Sequence, residues 1–527
     1  MLLKKMLLPA FGVLLLLNAC DLPKKTAATG DDGEIQVTIL QMNDVYEISP
    51  LSDGTGGMAR VAALRQELLA KNPNTLTILA GDFISPSVIG TLKHEGNRIR
   101  GRQMVDVMNT LGVDYVTFGN HEFDYDYADL QDRINESRFT WICSNARYVE
   151  KEGATPVPFF KMTAEGKQNL PDESVVTLKD SDGTTLRLGL LGVCINTGRK
   201  PWVTYGDWFD AAQKSYEKLR PQTDVCVAIT HLSVGDDIKL AGMLPNVPLI
   251  MGGHEHENQI HPVGKSVVAK ADANAKTVYV HQLTYNTRTK TAKVTSSLRV
   301  IDGKLPEEPN TAATVTKWEK IKKEALNSAG FEPDRLVVTL KSPLDCRETS
   351  IRRQQMPVGE MVNKAMMASA QNAPECAFFN SGSIRVDDVL TGNITELDIV
   401  RMLPFGGGFS EVDIKGSLLL QALEAGAKNE FNGGYLQLWN ITKTPAGGWV
   451  VSGKPLESTK VYRVVMPDFL LTGNEQNMSF LKAKTVDDKG STDNPNILTI
   501  LRPSDSKNKA DLRNDIRLAL IQYMHSM

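Results

Sequence analysis

Apolar and polar residues alternate with two different spacings near the start of the chain. The alternation at 35–39 predicts a strand. Apolar residues in segment 58–71 recur every three or four positions, which predicts a helix, and the apolar run 76–79 predicts a second strand. This order of strand, helix and strand is typical of an α/β fold with parallel strands.

Similar patterns continue along the rest of the chain. We predict further strands at 115–118, 186–193, 225–229, 247–251 and 278–282, and helices at 102–111 and 211–219. A charged helix is predicted at 314–329, ending at Gly330. After it, strands are predicted at 336–340, 377–379 and 462–466, and helices at 361–369 and 418–427. The sequence contains no internal repeat.

Polar and ionisable residues follow five of the predicted strands at the point where each strand ends. They are Asp44, Asp82, Asn120 with His121, His231, and His254 with His256. Ligands of α/β sheets bind beyond the carboxyl ends of the strands, so we expect these side chains to converge. Carboxylate, amide and neutral imidazole groups are the ligand set of two divalent metal ions, and a carboxylate such as Asp82 can bridge them.

Length and composition limit the classes of protein to consider. A chain of 527 residues is too long for one ordinary hydrophobic core, so we expect two or three domains. The net charge is −3 and the pI is about 6.3, and no run of Lys or Arg could follow a phosphate backbone. We therefore expect no polymeric nucleic acid as a partner.

The N-terminus has the pattern of a segment that directs export. Lys4 and Lys5 precede an apolar run at 6–17 that is too short to span a bilayer comfortably. The sequence Leu17-Asn18-Ala19-Cys20 resembles a bacterial lipobox, in which the cysteine is lipidated after cleavage. A plain secretory signal with a chance cysteine is the alternative.

The lipobox predicts a lipoprotein signal peptide at 1–19, a lipid on Cys20 and a polar tether at 20–34. The expected location is a membrane surface, facing the periplasm or the outside of the cell, reached through this lipid anchor alone. Five cysteines then remain, an odd number without a CxxC pair, which argues against a disulfide scaffold and a thiolate zinc site. Cys194 and Cys226 are expected in the core, and a bridge between Cys346 and Cys376 stays open.

The ordered motifs resemble those of the calcineurin-like metallophosphoesterases, and most closely those of the 5′-nucleotidase family. They are Asn-Asp-x-Tyr at 43–46, Gly-Asp-Phe at 81–83, Gly-Asn-His-Glu-Phe-Asp at 119–124, Thr-His at 230–231 and Gly-Gly-His-Glu-His at 252–256. The resemblance implies a metallophosphoesterase α/β sandwich at 35–310, a linker helix at 311–333 and a smaller α/β 5′-nucleotidase C-terminal domain at 334–527. The latter would bind substrate.

The resemblance also implies which residues hold the metals. Asp44, Asp82 and His256 would bind one divalent ion, and Asp82, Asn120, His231 and His254 the other. Zn, Mn, Co and Mg are the expected ions. The family has Asp-x-His at the first site, whereas this chain has Tyr46 in place of the imidazole. Three outcomes are open: a weakly held first metal, a phenolate ligand that favours a harder ion such as iron, or a phenol that points away.

Two further residues of the third motif would act in catalysis. The resemblance implies that His121 stabilises the transition state or protonates the leaving oxygen, with Asp124 as its acidic partner. A carboxylate that holds an imidazolium raises its pKa, which suits a general acid. Glu122 is expected in water on a loop face. The histidines without such neighbours are expected at the surface or as satisfied polar residues: His94, His261, His281 and His525.

The second half of the chain carries residues that match the family's substrate site. Asn380 and Arg385 lie in a segment that resembles its Asn-Gly-Gly-x-x-Arg turn, where the arginine binds phosphate or carboxylate groups and the asparagine contacts the base. Guanidinium groups suit phosphate oxygens. Phe405 and Phe469 match the two positions whose rings hold a nucleobase between them.

The match is weaker at two other positions of this half. Glu475 stands where the family has a ribose-binding aspartate, on a turn with a different sequence. Either Arg352 or Arg353 matches a second phosphate-binding arginine, because the offset between the sequences leaves both choices open.

Together these features predict a metal-dependent 5′-nucleotidase that hydrolyses nucleotide phosphomonoesters with a metal-activated hydroxide. The first alternative is a related hydrolase of nucleotide sugars, 2′,3′-cyclic nucleotides or a sulfur ester. The second is of another class, a nucleotide-binding lipoprotein with an impaired metal site, and it depends on Tyr46. The expected partner is a small nucleotide.

Overall fold

The computed structural model describes residues 32–196, 200–506, 508 and 510–527. The predicted signal peptide, Cys20 and nearly all of the tether lie outside these residues. Among the helices of the described residues, none is both long and apolar enough to cross a membrane.

Two six-stranded sheets form the first half of the chain. Their strands in chain order are β1 Glu34–Met42, β2 Thr75–Leu79, β3 Tyr115–Val116, β4 Thr140–Trp141, β5 Glu173–Lys179, β6 Thr185–Cys194, β7 Val225–His231, β8 Leu249–Gly252, β9 Gln259–Val263, β10 Ser266–Lys270, β11 Thr277–Asn286 and β12 Thr291–Val300. The first sheet has the order β12-β11-β1-β2-β3-β4 and the second β5-β6-β7-β8-β10-β9. Strands β1 to β4 run parallel to one another, as do β6, β7, β8 and β10.

The two sheets pack face to face around an apolar layer. Ile35, Val37 and Ile39 of β1 contribute to this layer from the first sheet, and Leu188 and Val227 contribute from the second. Helices cover the outer faces. They are α1 Met58–Lys71, α2 Arg102–Leu111 and α3 Tyr127–Glu136 on the side of the first sheet, and α4 Trp208–Leu219 and α5 Val234–Met243 on the side of the second. Parallel strands covered on both faces have continuous apolar runs, as β6 and β7 do.

The predicted helices 58–71 and 102–111 are confirmed at both ends. The predicted helix 211–219 begins three residues earlier, at Trp208, because the side chain of Asp207 accepts a hydrogen bond from the backbone N–H of Asp210 and caps the first turn. Strand β3 is shorter than predicted and ends at Val116.

A long helix, α6 Pro309–Ala329, connects the two halves of the chain. It begins five residues before the predicted start, because Glu308 caps its first turn and Pro309 is favoured at the first helical position. The helix packs against α1 and α2, and the buried Trp318 donates its indole N–H to Asp106, 2.8 Å away. The domain boundaries predicted from the sequence, at residues 310, 333 and 334, stay predictions.

A five-stranded sheet organises the second half. Its strands are β13 Cys376–Asn380, β14 Phe409–Lys415, β15 Leu436–Trp439, β16 Val461–Pro467 and β17 Ile497–Leu501, in the order β15-β13-β16-β14-β17. Its helices of seven or more residues are α7 Pro357–Ser369, α8 Glu396–Met402, α9 Gly416–Lys428 and α10 Ile516–His525. Helix α9 packs on one face of the sheet, and α7 and α10 pack on the other. The predicted α/β class is confirmed for both halves.

All five cysteines of the described residues are free and buried: Cys143, Cys194, Cys226, Cys346 and Cys376. The burial of Cys194 and Cys226 in apolar clusters agrees with the expectation from sequence. The bridge that the sequence left open between Cys346 and Cys376 is not formed, and the two side chains belong to different apolar clusters.

Candidate active site

Five strand ends meet at one end of the sandwich, and they come from both sheets. Asp44, Asp82 and Asn120 with His121 follow β1, β2 and β3 of the first sheet, whereas His231 ends β7 and His254 with His256 follow β8 of the second sheet. Donor atoms of Asp44, Asp82 and His231 lie within 4.8 Å of one another. The predicted convergence at the carboxyl ends of the strands is therefore present.

The backbone is strained where three of these side chains enter the site. Asp44, Asp82 and His254 have φ angles of 52°, 56° and 87°. Residues with a side chain rarely adopt this left-handed region, at a cost of about 1–3 kcal/mol each. Gly119 has to be glycine for a different reason, because a Cβ there would lie 2.1 Å from Oδ1 of Asp82. The surrounding structure thus holds these residues in one arrangement.

His231 lies at the centre of the cluster and fits a metal ion. Its Nδ1 lies 2.7 Å from the carbonyl oxygen of Ala80, and it must be the donor because a carbonyl oxygen only accepts. The other ring nitrogen, Nε2, lies 3.1 Å from Oδ2 of Asp82. Nε2 is buried, and the carboxylates within 4 Å of it are those of Asp82 and Asp44. Burial lowers the pKa of His231, but the Asp82 and Asp44 carboxylates raise it to about 9. The carboxylates thus favour a positive charge at this nitrogen, which a metal ion supplies.

Asn120 and His254 lie beside His231. The Nδ1 atom of His254 is 3.2 Å from Oδ1 of Asn120, and the two histidine rings are 5.5 Å apart. Burial and the neighbouring His231 lower the pKa of His254 to about 3, so its imidazole is neutral, as a metal ligand must be. The backbone N–H of His254 also donates to Asp44 Oδ2 at 2.9 Å. These contacts fit the predicted second metal site.

Tyr46 and His256 complete the opposite side of the cluster. The phenol oxygen lies 3.3 Å from Asp44 Oδ1, 3.4 Å from Asp82 Oδ2 and 3.3 Å from His256 Nε2. His256 Nε2 is 3.6 Å from Asp44 Oδ1. The phenol therefore points into the site, and the outcome in which it points away is excluded. All six residues predicted as metal ligands lie in this one cluster, and their roles as ligands stay predictions.

His121 and Asp124 form the pair that the sequence predicts. His121 Nδ1 lies 2.8 Å from Asp124 Oδ2, and Ser85 donates its hydroxyl to the same oxygen at 2.9 Å. The backbone N–H of His121 donates to Asp82 Oδ1 at 2.7 Å. Burial lowers the pKa of His121, but the Asp124 and Asp82 carboxylates raise it above its usual value. The imidazole is therefore suited to carry a proton.

The expectation that Glu122 lies in water is wrong. Its side chain is fully buried and accepts hydrogen bonds from the backbone N–H groups of Gly119 at 2.6 Å, Asp82 at 2.8 Å, Phe83 at 2.8 Å and Ile84 at 3.1 Å. Burial and the charge of Asp82 raise its pKa to about 7. Glu122 thus ties the loop after β2 to the loop after β3 and fixes the position of Asp82.

A buried lysine that the sequence did not single out supports the loop after β8. The ammonium group of Lys270 lies 2.9 Å from Asp237, bonds to Glu255, and donates to the carbonyl oxygens of Leu232 at 2.6 Å and Gly253 at 2.7 Å. Lysine is rarely buried without such partners. Its contacts hold the loop that carries the two histidines after β8.

Two arginines of the second half share one carboxylate near the metal cluster. Arg385 Nη1 lies 3.2 Å from Glu348 Oε1, and Arg352 bonds to the same oxygen. The Nε atoms of both arginines are buried, and no described residue accepts a hydrogen bond from them. Arg353 is exposed to solvent, so Arg352 is the arginine of the pair 352–353 that lies at the site.

The remaining predicted substrate residues lie on loops of the second half. Phe405 and Phe469 are 54% and 46% exposed, although large aromatic side chains are usually buried. The guanidinium of Arg385 lies 5.6 Å from the centre of the Phe405 ring. Asn380 ends β13, and its side chain hydrogen-bonds to Ser383 and Glu475. Burial raises the pKa of Glu475.

A cavity of about 610 Å³ joins the two halves of the site. Tyr46, His121, His254 and His256 line it from the first half, and Glu348, Arg385, Asp387 and Arg401 line it from the second. Sequence reasoning missed Glu348, Asp387 and Arg401, because a single polar residue in a loop or on a helix carries no signal of its own. The proximity of Asp387 to Arg385 in the sequence was the one available clue. Asp387 bonds to His256 and thereby connects the halves directly.

Comparison with known proteins agrees with this architecture. Residues 37–258 match the calcineurin-like phosphoesterase family, and residues 337–483 match the 5′-nucleotidase C-terminal domain. The chain is 25% identical over 525 residues to 5′-nucleotidase of Bos taurus, covering 87% of each sequence. It is 24% identical over 506 residues to 5′-nucleotidase of Homo sapiens, covering 84% of each.

The fold is similar to that of a 5′-nucleotidase precursor from Thermus thermophilus. The TM-score is 0.68 at 21% identity, over 93% of this chain and 96% of that one. Both halves of the chain are therefore present, in the same order, in that fold. The chain belongs to the 5′-nucleotidase family of calcineurin-like phosphoesterases, which are phosphoric ester hydrolases.

Proposed function

We propose that the protein hydrolyses the phosphomonoester bond of 5′-nucleotides with the help of two divalent metal ions. The observation that carries this proposal is the composition of the cavity. Its wall in the first half contains His254 and His256, which belong to the same set of predicted ligands as the buried Asp82, and its wall in the second half contains Arg385. A phosphate bound to the metals therefore lies within reach of residues that recognise the rest of a nucleotide.

The metal ions would be held by the six predicted ligands, with Asp82 between them. Bound there, they supply Lewis-acid activation of the phosphate and of a water molecule. Zn, Mn, Co and Mg are the proposed ions for a cluster of carboxylates, an amide and imidazoles, with iron as the alternative at the site that contains Tyr46. The strained backbone at Asp44, Asp82 and His254 keeps these donors in place before the ions bind.

His121 and Asp124 supply the proton for the leaving group. Asp124 holds Nδ1 of the imidazole, so that the other ring nitrogen is available on the cavity side. An imidazole whose pKa is raised keeps its proton near neutral pH and can donate it to the ribose oxygen as the ester bond breaks. This step produces a nucleoside and inorganic phosphate.

Recognition of the nucleoside is assigned to the second half. Phe405 and Phe469 would hold the base between their rings, an arrangement that accepts any base, and each stacking contact is worth about 1–3 kcal/mol. Asn380 and Glu475 would contact the base and the ribose. Arg352 and Arg385 suit phosphate or carboxylate oxygens. We also propose that Cys20 carries a lipid and that the enzyme acts outside the cytoplasm.

The test is phosphate release from AMP by the purified protein, with and without a chelator. We expect metal-dependent hydrolysis that is lost, together with bound metal, in Asp82→Ala. Glu307→Ala, which removes an exposed carboxylate far from the cluster in sequence, is the control and should behave as the unmodified protein. Unchanged AMP hydrolysis in Asp82→Ala would overturn the proposal.

A substrate panel distinguishes the alternatives. Nucleotide sugars, 2′,3′-cyclic nucleotides and a sulfur ester are assayed beside AMP at equal concentration. We expect the highest kcat/KM with a 5′-nucleotide. Faster turnover of another class would overturn the assignment of substrate, and tight AMP binding without turnover would show a binding protein.

A further inference from the structure

The residue that departs most from the pattern of the family occupies a position that suits a metal ligand. Tyr46 Oη is almost equidistant from Asp44 Oδ1, Asp82 Oδ2 and His256 Nε2, at 3.3, 3.4 and 3.3 Å. Neighbouring donor atoms about 2.0–2.2 Å from one metal ion lie about 2.8–3.6 Å from one another in octahedral or tetrahedral geometry. The three distances from the phenol oxygen, and the 3.6 Å between His256 Nε2 and Asp44 Oδ1, therefore fit the separations within one coordination shell.

The phenol is held in this position by contacts outside the shell. The backbone N–H groups of Tyr46 and Glu47 both donate to Asn274 Oδ1, at 2.9 and 3.1 Å. The Tyr46 ring also packs edge to face against the rings of His121 and His256, with centres 6.2 and 5.6 Å away. The direction of the phenol is thus set by the turn after β1 and by the neighbouring rings.

The phenol proton satisfies only one of the two carboxylate contacts. The phenol carries one proton, so it can donate to Asp44 or to Asp82 but not to both at once. The phenol oxygen would then face the oxygen of the other carboxylate with no proton between the two atoms. A cation shared by the phenol, the two carboxylates and His256 removes this conflict.

We propose that Tyr46 binds the first metal ion through its phenolate oxygen, and that this site therefore prefers a hard ion such as ferric iron. The proposed ligand set contains three anionic oxygens, from Asp44, Tyr46 and Asp82, and one imidazole, from His256. Anionic oxygen donors favour hard cations, whereas additional imidazoles favour zinc. The inference depends on the proposed dinuclear site, but it does not depend on the nucleotide as substrate.

The metal-free protein is loaded with ferric iron alone and with zinc alone, and its metal content is measured. Phenolate bound to ferric iron absorbs visible light by charge transfer, and resonance Raman spectra excited in that band contain tyrosine ring modes. We expect both signals in the unmodified protein. Neither signal requires a substrate, and the unmodified protein tests the proposal even if a variant fails to fold.

Three variants assign the signals. Tyr46→Phe should lose the visible band and bind ferric iron at the first site more than about tenfold less tightly in chelator competition. Tyr46→His should lose the band and bind zinc in preference to iron. Tyr523→Phe, which removes a tyrosine of α10, should keep the band.

The outcomes separate this inference from the proposed function. Absence of the visible band in the iron-loaded protein, or its persistence in Tyr46→Phe, would overturn the assignment of Tyr46 as a ligand even if AMP is hydrolysed. A band that depends on Tyr46 supports the assignment even if AMP is not hydrolysed, in which case the proposed substrate is wrong.

Discussion

Asp387 in the second half of the chain forms a hydrogen bond with Nδ1 of His256 in the first half. Because a carboxylate holds Nδ1, the Nε2 atom of His256 faces Asp44 in the metal cluster. The other oxygen of Asp387 accepts the backbone N–H of Glu348 at 2.7 Å. Burial lowers the pKa of His256, but Asp387 raises it to about 10. Since Arg385 lies two residues away, one loop positions both a proposed metal ligand and a proposed phosphate ligand.

The first prediction concerns Asp387. Asp387→Asn replaces the carboxylate that orients His256, and loss of such an outer contact typically weakens metal binding about 10–100-fold. We expect this loss for one of the two ions, together with a kcat for AMP that recovers when excess metal is added. Chelator competition and activity at increasing metal concentration measure both effects.

Asp388→Asn is the matched control. Asp388 is the next residue in the same loop and pairs with Lys276 at 3.3 Å instead of with a histidine. We expect its metal affinity to equal that of the unmodified protein. Equal metal affinities in all three proteins would mean that Asp387 does not position His256.

The second prediction concerns the pair of His121 and Asp124. His121→Ala should lower kcat by about 10²–10⁴, the usual contribution of general acid catalysis, and should leave metal content unchanged. The Asp124 carboxylate raises the pKa of His121, so its proton is retained to a higher pH than usual. The rate should fall as pH rises through this raised pKa.

Asp124→Asn tests whether the Asp124 carboxylate raises the pKa of His121. Without the carboxylate the pKa of His121 is lower, so the alkaline fall in kcat should begin at a lower pH. Asp126→Asn, on the exposed part of the same loop, should keep the original pH profile. An unshifted profile in Asp124→Asn would show that His121 is not the group that titrates.

Much of the cluster was predictable from sequence because it depends on local patterns. Each apolar run defines a strand, and the residue after a parallel strand lies at a fixed edge of the sheet. Asp44, Asp82 and His231 follow this rule. The sequence did not show that β1 to β3 and β7 to β8 belong to different sheets, because strand order depends on packing between distant segments.

Glu122 and Asp387 show where the sequence gives too little information. Glu122 lies among polar residues of a loop, and its burial depends on the backbone N–H groups of Asp82, Phe83 and Ile84. Asp387 meets His256 across 131 positions of sequence. A loop carboxylate has the same local pattern whether it faces water or a distant partner, so its partner has to be known before its role can be inferred.

The third prediction concerns the two exposed rings of the second half. Phe405→Ala and Phe469→Ala should each raise KM for AMP by roughly 5–150-fold, which corresponds to the loss of about 1–3 kcal/mol of stacking. The increase should be similar for the other common bases, because every base offers a flat face to the ring. Steady-state kinetics with four nucleoside monophosphates measure it.

Ribose 5-phosphate is the control substrate, because it has the phosphate and the sugar but no base. Its KM should be the same in both variants as in the unmodified protein. An equal loss for AMP and ribose 5-phosphate would show that the phenylalanines support the fold of their loops and do not contact the base.

The fourth prediction concerns stability and pH at a buried histidine that is not one of the predicted metal ligands. His281 in β11 is fully buried and hydrogen-bonds to Gln41 and Ser296, each at 2.8 Å. Burial lowers its pKa from 6.5 to about 3. Between these two values the unfolded chain binds a proton that the folded protein does not bind. The free energy of unfolding should therefore fall as pH decreases below about 6.5, with a slope of up to about 1.4 kcal/mol per pH unit.

Denaturant unfolding at pH 7, 6 and 5, in the presence of chelator, measures this slope. His281→Asn removes the titrating group, so its stability should decline less steeply over the same range, whatever its stability at pH 7. His525→Asn, which removes an exposed histidine at the end of α10, should keep the slope of the unmodified protein. Other groups also titrate in this range, so only the difference in slope between the proteins reports on His281. Identical slopes in all three proteins would mean that burial of this imidazole does not limit stability in acid.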